Sequence, residues 1–324
     1  MSRLRIVECL AFLVLAALGA GALAQTYPVK PVRIVVPYVA GGATDVYARV
    51  VGRGLSDQLG QQFFIENRPG AATIIGAQAV AQASKDGYTL LFTVSATMSA
   101  NPRLYQQLSY KPEDFAPVGL MGSSDGWTIA VHPSIPAKSI KEFVAFAKAR
   151  PSQLVMGSLG PGSGPFLVGK TFERLAGLKF TEVSYKGSAE AMRDLLAGQI
   201  SLYCDGIAGA LQQHKAGKLR ILAITGPKRS PQLPDAATLL ESGYADLVVT
   251  NWWGLFAPVG TPADIVTRLN AALVKTVERD DFRARLANDG VNAESSTPAA
   301  LGDMIKRDAG IWRRIIEPLH IPLG

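Results

Sequence analysis

Short β-rich runs alternate with helical stretches along nearly the whole chain, and this alternation limits the folds open to it. VRIVVPY (32–38) reads as a strand. GGATDVYARVVGRGLSDQLG (41–60) reads as a helix whose buried stripe is Val46, Val50 and Leu55 with Ala48, Val51 and Leu59. FFIEN (63–67), AATIIGAQAVAQAS (71–84) and TLLFTV (89–94) continue as strand, helix and strand. The pattern runs on through KSIKEFVAFAKA (138–149), LVMGS (154–158), GPFLVGKTFERLAG (164–177), TEVSYK (181–186), SAEAMRDLLAG (188–198), ISLYCD (200–205), a short helix near 207–216, and LRILAIT (219–225). Segments 262–279, 280–289 and 298–316 have helical periodicity. Alternation at this spacing predicts an α/β protein with parallel sheets covered by helices.

The N-terminus carries an address. MSRLR supplies two arginines, the apolar run IVECLAFLVLAALGAGALA follows, and Ala22-Leu23-Ala24 precedes Gln25. A basic start, an apolar middle and an A-x-A end make a secretory signal peptide over 1–24, with cleavage expected after Ala24 and the periplasm as the destination. A lipoprotein anchor would need a cysteine at the cleavage point, and Cys9 lies far upstream of it. The mature chain of about 300 residues is long enough for two domains. It keeps one cysteine, Cys204, and so has no intramolecular disulfide; its stability must come from its cores. Removing Arg3, Arg5 and Glu8 takes the formal charge from +7 to +6. The cations are scattered, which argues against a nucleic-acid partner and mildly favours an anionic ligand.

GPFLVGKT (164–171) matches the phosphate-binding loop pattern G-x-x-x-x-G-K-[ST]. Three features argue against a nucleotide site. An exported protein meets little ATP, the wild-card positions are the bulky Pro-Phe-Leu-Val, and Phe166, Leu167, Phe172 and Leu175 form a helical stripe. The stretch therefore reads as an amphipathic helix starting near Gly164 or Pro165, with Gly169-Lys170-Thr171 inside it and Lys170 facing solvent.

Three strand-to-helix junctions place small and hydroxyl residues just before a helix start: PYVAGGATD (37–45), GSLGPGSGP (157–165) and YKGSAEA (185–191). A helix start leaves N–H groups unpaired and carries partial positive charge, which suits a carboxylate. One start contributes about 0.3–2 kcal/mol, whereas micromolar binding needs about 8 kcal/mol, so several must converge on one ligand. Asp205 ends ISLYCD; it could be a solvated strand end, a Walker B-like acid, or a pocket acid for a ligand amine or hydroxyl. His132, His214 and His320 are far apart and lack metal-ligand spacing, so neither catalysis, a metal nor a cofactor is indicated.

With these junctions in view the chain resembles the Bug family, the periplasmic solute receptors of tripartite tricarboxylate transporters. The resemblance is carried by YPVKPVRIVVPYVAGGATD, ENRPGAATIIGA, DGYTLLF, NPRLY, DFAPVG, VSYKGSAEAMRDLLAGQI, AGKLRILAIT, KRSPQLPDAATLLESG and WWGLFAPVGTP, from Tyr27 to the C-terminus. It implies a two-lobed periplasmic binding protein fold, type II-like, each lobe a sheet flanked by helices with the ligand cleft between. The implied lobes are 25–123 with 250–324, and 124–249. The crossings are expected near Gly122–Gly126 and Asp246–Trp252, with the C-terminal helices returning to the first lobe. The implied ligand-binding residues are Tyr38, Gly41, Gly42, Ala43, Thr44 and Asp45 in the first loop, Ser95 and Thr97 in the second, and Ser158, Gly162 and Ser163 in the third. Lys186, Gly187, Ser188 and Asp205 complete the set. The implied partners are a small organic carboxylate and membrane transporter subunits, with a monomeric receptor. A signalling partner, or a secreted hydrolase using Ser158 or Ser163, are the other readings. Phe166 and Met98 stand where the family often has histidine, which predicts a more apolar pocket and a ligand with an aromatic or hydrocarbon body.

Overall fold

A computed structural model describes residues 27–321; the signal peptide expected over 1–24 lies outside the described residues. Among the described residues twelve strands form two six-stranded sheets. The first contains β1 (Val32–Val36), β2 (Phe63–Asn67), β3 (Thr89–Val94), β4 (Phe115–Ser124), β11 (Asn251–Pro258) and β12 (Val291–Ala293), in the order β12-β4-β11-β3-β1-β2. The second contains β5 (Thr128–Val131), β6 (Val155–Ser158), β7 (Thr181–Ser184), β8 (Leu202–Tyr203), β9 (Arg220–Ile224) and β10 (Ala237–Thr238), in the order β10-β9-β5-β8-β6-β7.

The sheets are mixed rather than purely parallel, a correction to the expectation from alternation. β1 pairs in parallel with β2 and β3, as β6 does with β7 and β8, but β11 runs antiparallel to β3 and β4, and β5 antiparallel to β8 and β9. The antiparallel members are the strands next to the crossings, where the chain leaves one sheet and later returns beside its own exit. The crossings hold each other. Trp127 N donates to Thr225 Oγ1 at 2.8 Å, and that hydroxyl donates to Val249 O at 2.6 Å. Gly126 adopts φ +100°, and a Cβ there would lie 2.2 Å from Thr225 Oγ1 and 2.5 Å from Val249 O, so only glycine fits.

Each sheet is buried on both faces. In the first, Ile34, Tyr47, Val51, Leu55 and Leu273 pack on one side and Val35, Leu91, Met98, Trp252 and Phe256 on the other. In the second, Phe143, Met156, Leu167 and Phe172 face one way and Leu195, Tyr203, Ile207 and Leu211 the other. Helix α1 (Ala43–Leu59) buries Tyr47, Ala48, Val51, Gly52 and Leu55, while Val46 and Val50 are half-buried at the edge of that face. The helices that follow are α2 (Ile74–Ala81), α3 (Asn101–Leu104), α4 (Ile140–Lys148), α5 (Gly164–Ala176), α6 (Ser188–Leu196), α7 (Ile207–Lys215), α8 (Ala263–Val277), α9 (Asp280–Asn288) and α10 (Pro298–Ile316). α10 does not stay with one sheet. Its Leu301 and Ile305 pack on the first, whereas Trp312, Ile315 and Ile316 enter the core of the second. Among the described residues no helix is long and apolar enough to cross a membrane.

The GPFLVGKT stretch forms helix α5, with Ser163 as its N-cap and Pro165 in the first turn. Both glycines of the apparent motif are sites of close packing. A Cβ at Gly164 would lie 2.2 Å from the Trp127 ring, and one at Gly169 would lie 2.5 Å from Met156 Sδ. Lys170 is partly buried and paired with Glu173 instead of standing free in solvent. A lysine so placed, two turns into the helix, has no phosphate cradle before it.

Candidate functional site

The C-terminal ends of β1, β3, β6, β7 and β8 carry the candidate loops, the position at which α/β sheets present ligands. Three helices that follow these strands begin at a glycine N-cap without any side-chain cap: Gly42 for α1, Gly187 for α6 and Gly206 for α7. Nothing lies within 4 Å of the Cβ position at Gly187, Gly206 or the neighbouring Gly41, so the backbone there is open to a ligand. Such uncapped starts leave N–H groups and partial positive charge directed outward.

The side chains of the first loop mostly hold it in shape. Asp45 accepts from Gly41 N at 2.9 Å, Arg49 Nε at 3.0 Å and Asn67 Nδ2 at 2.9 Å. Burial pushes its carboxyl up, but these donors outweigh burial and hold it below the usual carboxylate range. Thr44 accepts from Trp253 Nε1 at 3.2 Å, which ties the start of α1 to the returning strand β11. The outward groups are the backbone of Gly41, Gly42 and Ala43, all exposed.

The second loop is more deeply placed than its sequence suggests. Ser95 and Thr97 are fully buried. Ser95 donates to Asn251 Oδ1 at 2.9 Å, bracing the end of β3 against the crossing. Thr97 sits among hydroxyls, 2.7 Å from Thr93 Oγ1 and 3.0 Å from Thr73 Oγ1. Tyr38 is half-buried. Met98 lies in the core against Trp252, Phe256 and Tyr110 rather than at the cleft surface.

In the third loop Ser158 is buried, donating to Glu182 Oε1 at 2.6 Å and accepting from Gly160 N at 3.1 Å. Ser163 accepts from Phe166 N and donates to Gly160 O at 2.7 Å. Neither serine has a neighbouring histidine or lysine base, so neither is built as a nucleophile. Gly160 and Gly162 take positive φ, and a Cβ at Gly162 would lie 3.1 Å from the Tyr105 hydroxyl. Here the loop after β6 meets the segment that carries Tyr105. Phe166 is packed in the second sheet's core.

Asp205 sits at the start of α7. Its Oδ1 accepts from Gly206 N at 2.9 Å, and its Oδ2 would lie 2.1 Å from a Cβ at Gly209. It is only 7% exposed, and burial raises its carboxyl to about 7 against the lowering effect of the Gly206 N–H and the Ser188 hydroxyl. Ser188 also accepts from Tyr203 Oη at 3.0 Å. Lys186 is exposed beside the start of α6.

Residues that the sequence reading missed complete the surroundings. Trp127 lies on Gly164, bridges the backbone of Gly206, and keeps its indole Nε1–H buried without a partner among the described residues. Tyr105, Trp253 and Asn251 each touch a candidate loop from a distance in sequence that no local pattern spans. NPRLY, which holds Tyr105, and WWGLFAPVGTP, which holds Trp253, are the available signals, but in the sequence they read as motifs of the resemblance and not as loop braces. A separate cavity of about 540 Å³ lies behind the crossing, lined by Asp125, Lys228, Arg283, Asn292 and Glu294. It shares no residue with the loops, and its two carboxylates are already taken by Asn292 and Ser123.

Two helix-flanked sheets, joined by adjacent crossings and presenting glycine-rich helix starts, define the two-lobed class of periplasmic binding proteins. The chain belongs to the tripartite tricarboxylate transporter family of receptors, whose family model matches residues 47–321. It is 33% identical over 308 residues to protein BugT of Bordetella pertussis, covering 93% of this chain and 94% of that one. A solved structure of Rhodopseudomonas palustris MatC (Rpa3494) with bound malate is 32% identical with a TM-score of 0.82, covering 90% of this chain and all of that one. The structure of R. palustris Rpa4515 with adipate is 31% identical with a TM-score of 0.85, covering 92% of this chain and all of that one. Members of this family are periplasmic binding proteins.

Proposed function

We propose that the protein is an exported solute receptor that captures a small carboxylate-bearing molecule between two lobes and hands it to the membrane subunits of a tripartite tricarboxylate-type transporter. The lobes are 25–123 with 250–324, and 124–249, hinged at the crossings, with α10 as a third connection. The observation that carries this reading is the set of three uncapped glycine helix starts, one on the first lobe and two on the second. Each alone is weak; the three together supply at most about 6 kcal/mol of the about 8 kcal/mol that micromolar binding needs, and burial of the ligand's apolar surface on closure supplies the rest. The site residues divide by role. Gly41, Gly42, Ala43, Gly162, Gly187 and Ser188 face the ligand, mostly through backbone. Asp45, Ser95, Thr97, Ser158 and Ser163 hold the loops that present them. Tyr38, Thr44, Lys186 and Asp205 stand between these groups.

Closure follows from differential affinity: the ligand touches both lobes only in the closed state and so stabilises that state. The ligand leaves unchanged, since no nucleophile with a paired base lies in the loops. The malate- and adipate-bound relatives support a carboxylate ligand. The apolar pocket expected from Phe166 and Met98 has no basis in those residues, which are core; the aromatic surfaces near the loops are Tyr38, Tyr105 and Trp127. Native mass spectrometry of the protein as purified, followed by calorimetry with mono- and dicarboxylates, tests the reading. A bound organic acid recovered unaltered supports it. Tight binding of a neutral or cationic solute, with no carboxylate bound, sinks it.

A further inference from the structure

The cavity of about 540 Å³ behind the crossing has no part in the carboxylate site, and its volume is in the range of small-molecule sites. Its walls come from both sheets. Asp125 stands on the crossing between β4 and β5, and Lys228 and Gln232 on the connection from β9 to β10. Arg283 projects from α9, and Asn292 and Glu294 lie on and just beyond β12. Four of these side chains are ionised, two of each sign. Among the described residues none of the four is in an ion pair, although their near neighbours Arg229 and Arg285 each hold a carboxylate. The two carboxylates are engaged by neutral donors, through one oxygen each. Asp125 Oδ1 accepts from Asn292 Nδ2 at 3.4 Å, and Glu294 Oε2 accepts from Ser123 Oγ at 3.0 Å. Asn292 and Ser123 are register partners across β12 and β4, so the two carboxylates flank one strand pair at the edge of the first sheet. Asp125 is 7% exposed, so its charge is largely withdrawn from water with one long hydrogen bond in return. The Lys228 and Arg283 side chains are exposed and have no hydrogen-bond partner among the described residues.

We infer that this cavity is a second ligand site and that it takes a small zwitterion, a molecule carrying both a carboxylate and an ammonium group, such as an amino acid. A ligand with a single charge would pair with half of the lining and face its own sign in the other half. A zwitterion satisfies both. Its carboxylate accepts from Lys228 and Arg283, its ammonium donates to the second oxygens, Asp125 Oδ2 and Glu294 Oε1, and the Gln232 amide serves either end. Withdrawal from bulk water around Asp125 strengthens these charged contacts. The occupant is held from both sheets, so it ties the connection after β9 to α9 and β12 beside the crossing. The inference goes beyond the carboxylate-receptor reading and does not rest on it, since no residue of the candidate loops lines the cavity.

The test is calorimetry of the full mature protein with L-alanine, β-alanine and 4-aminobutanoate, whose two charges are separated by increasing lengths of chain. Propionate and ethylamine are the single-charge controls. Each is titrated alone and again with the tightest binder among malate, succinate and adipate at saturation, which fills the cleft between the lobes. The expected result is binding of an amino acid with a dissociation constant below about 1 mM, undiminished by the dicarboxylate, and at least about tenfold weaker binding of either control. Lys228→Gln and Arg283→Gln, both at exposed side chains, are each expected to weaken the amino acid about tenfold and to leave the dicarboxylate unchanged. Asp125→Asn should do the same from the ammonium end. Should that buried variant fail to fold, the two exposed variants still decide. Amino-acid binding that the dicarboxylate abolishes, or that both glutamine variants leave intact, belongs to the cleft; it overturns the second site while the receptor reading stands. Propionate or ethylamine binding as tightly as the amino acids overturns the zwitterion. So does the lack of any amino-acid binding below about 1 mM, the result expected if Lys228 and Arg283 swing onto the two carboxylates instead. Failure of every dicarboxylate to bind overturns the receptor reading, and the glutamine variants then decide the second site by themselves.

Discussion

At Asp205 two opposing effects meet in one side chain. The Gly206 N–H and the Ser188 hydroxyl favour its charged form, burial disfavours it, and burial prevails. A carboxyl raised from 3.8 to about 7 contributes stability that is fully present below 3.8 and is lost as pH rises through 7. The loss is on the order of 4 kcal/mol before any local relaxation. Asp205→Asn carries no such penalty, so its melting temperature is expected to exceed that of the wild type increasingly between pH 5 and pH 8. Thermal melts at matched ionic strength check this, and a constant difference would contradict it. Gly164 is constrained by shape. An added Cβ would lie 2.2 Å from the Trp127 ring. Gly164→Ala is expected to cost about 1–3 kcal/mol by overpacking and to weaken ligand affinity through the displaced indole. Urea unfolding and calorimetry on the same variant read the two effects. Both glycines of GPFLVGKT were legible as glycines, but their reason was not, because Trp127 and Met156 reach them only in the folded chain.

Helices read well from sequence because their signals are local. α10 begins and ends where its periodicity does, β2 and β3 coincide with their apolar runs, and Ser163 caps α5 as its place before Gly164-Pro165 implies. Ser163→Ala is expected to lower stability by about 1 kcal/mol, measured by urea unfolding, with little effect on the ligand's dissociation constant, since its hydroxyl is engaged within the loop. Asp45→Ala should do the opposite. It removes the acceptor that holds Gly41 N and Arg49, so the open start of α1 loses its shape. Affinity should then fall by tenfold or more, read by calorimetry, while the helix itself persists. β4, β5 and β11 were not legible as strands. Their apolar stretches lack alternation because both faces are buried, and their antiparallel direction is set by neighbours about seventy or more residues away. The candidate loops fall at the C-terminal ends of their strands, as their place in the sequence implies, but the division between outward backbone and bracing hydroxyls was not visible there.

Across the whole molecule, α10 joins the two sheets. Trp252 Nε1 donates to Asp308 Oδ2 at 2.6 Å from the first sheet, and Trp312 is fully buried against the second. Trp312→Ala is expected to cost about 3–5 kcal/mol and to loosen one sheet from the other, visible as two thermal transitions in place of one. The sequence by itself determined the succession of strands and helices, the glycines that leave helix starts open, and the absence of a phosphate cradle at Lys170. These depend on residues a few positions apart. The tertiary structure alone decided the mixed strand directions, the hydroxyls spent on bracing, and the burial that raises the Asp205 carboxyl. Each of those rests on a hydrogen-bond partner or a covering side chain brought from a distant part of the chain.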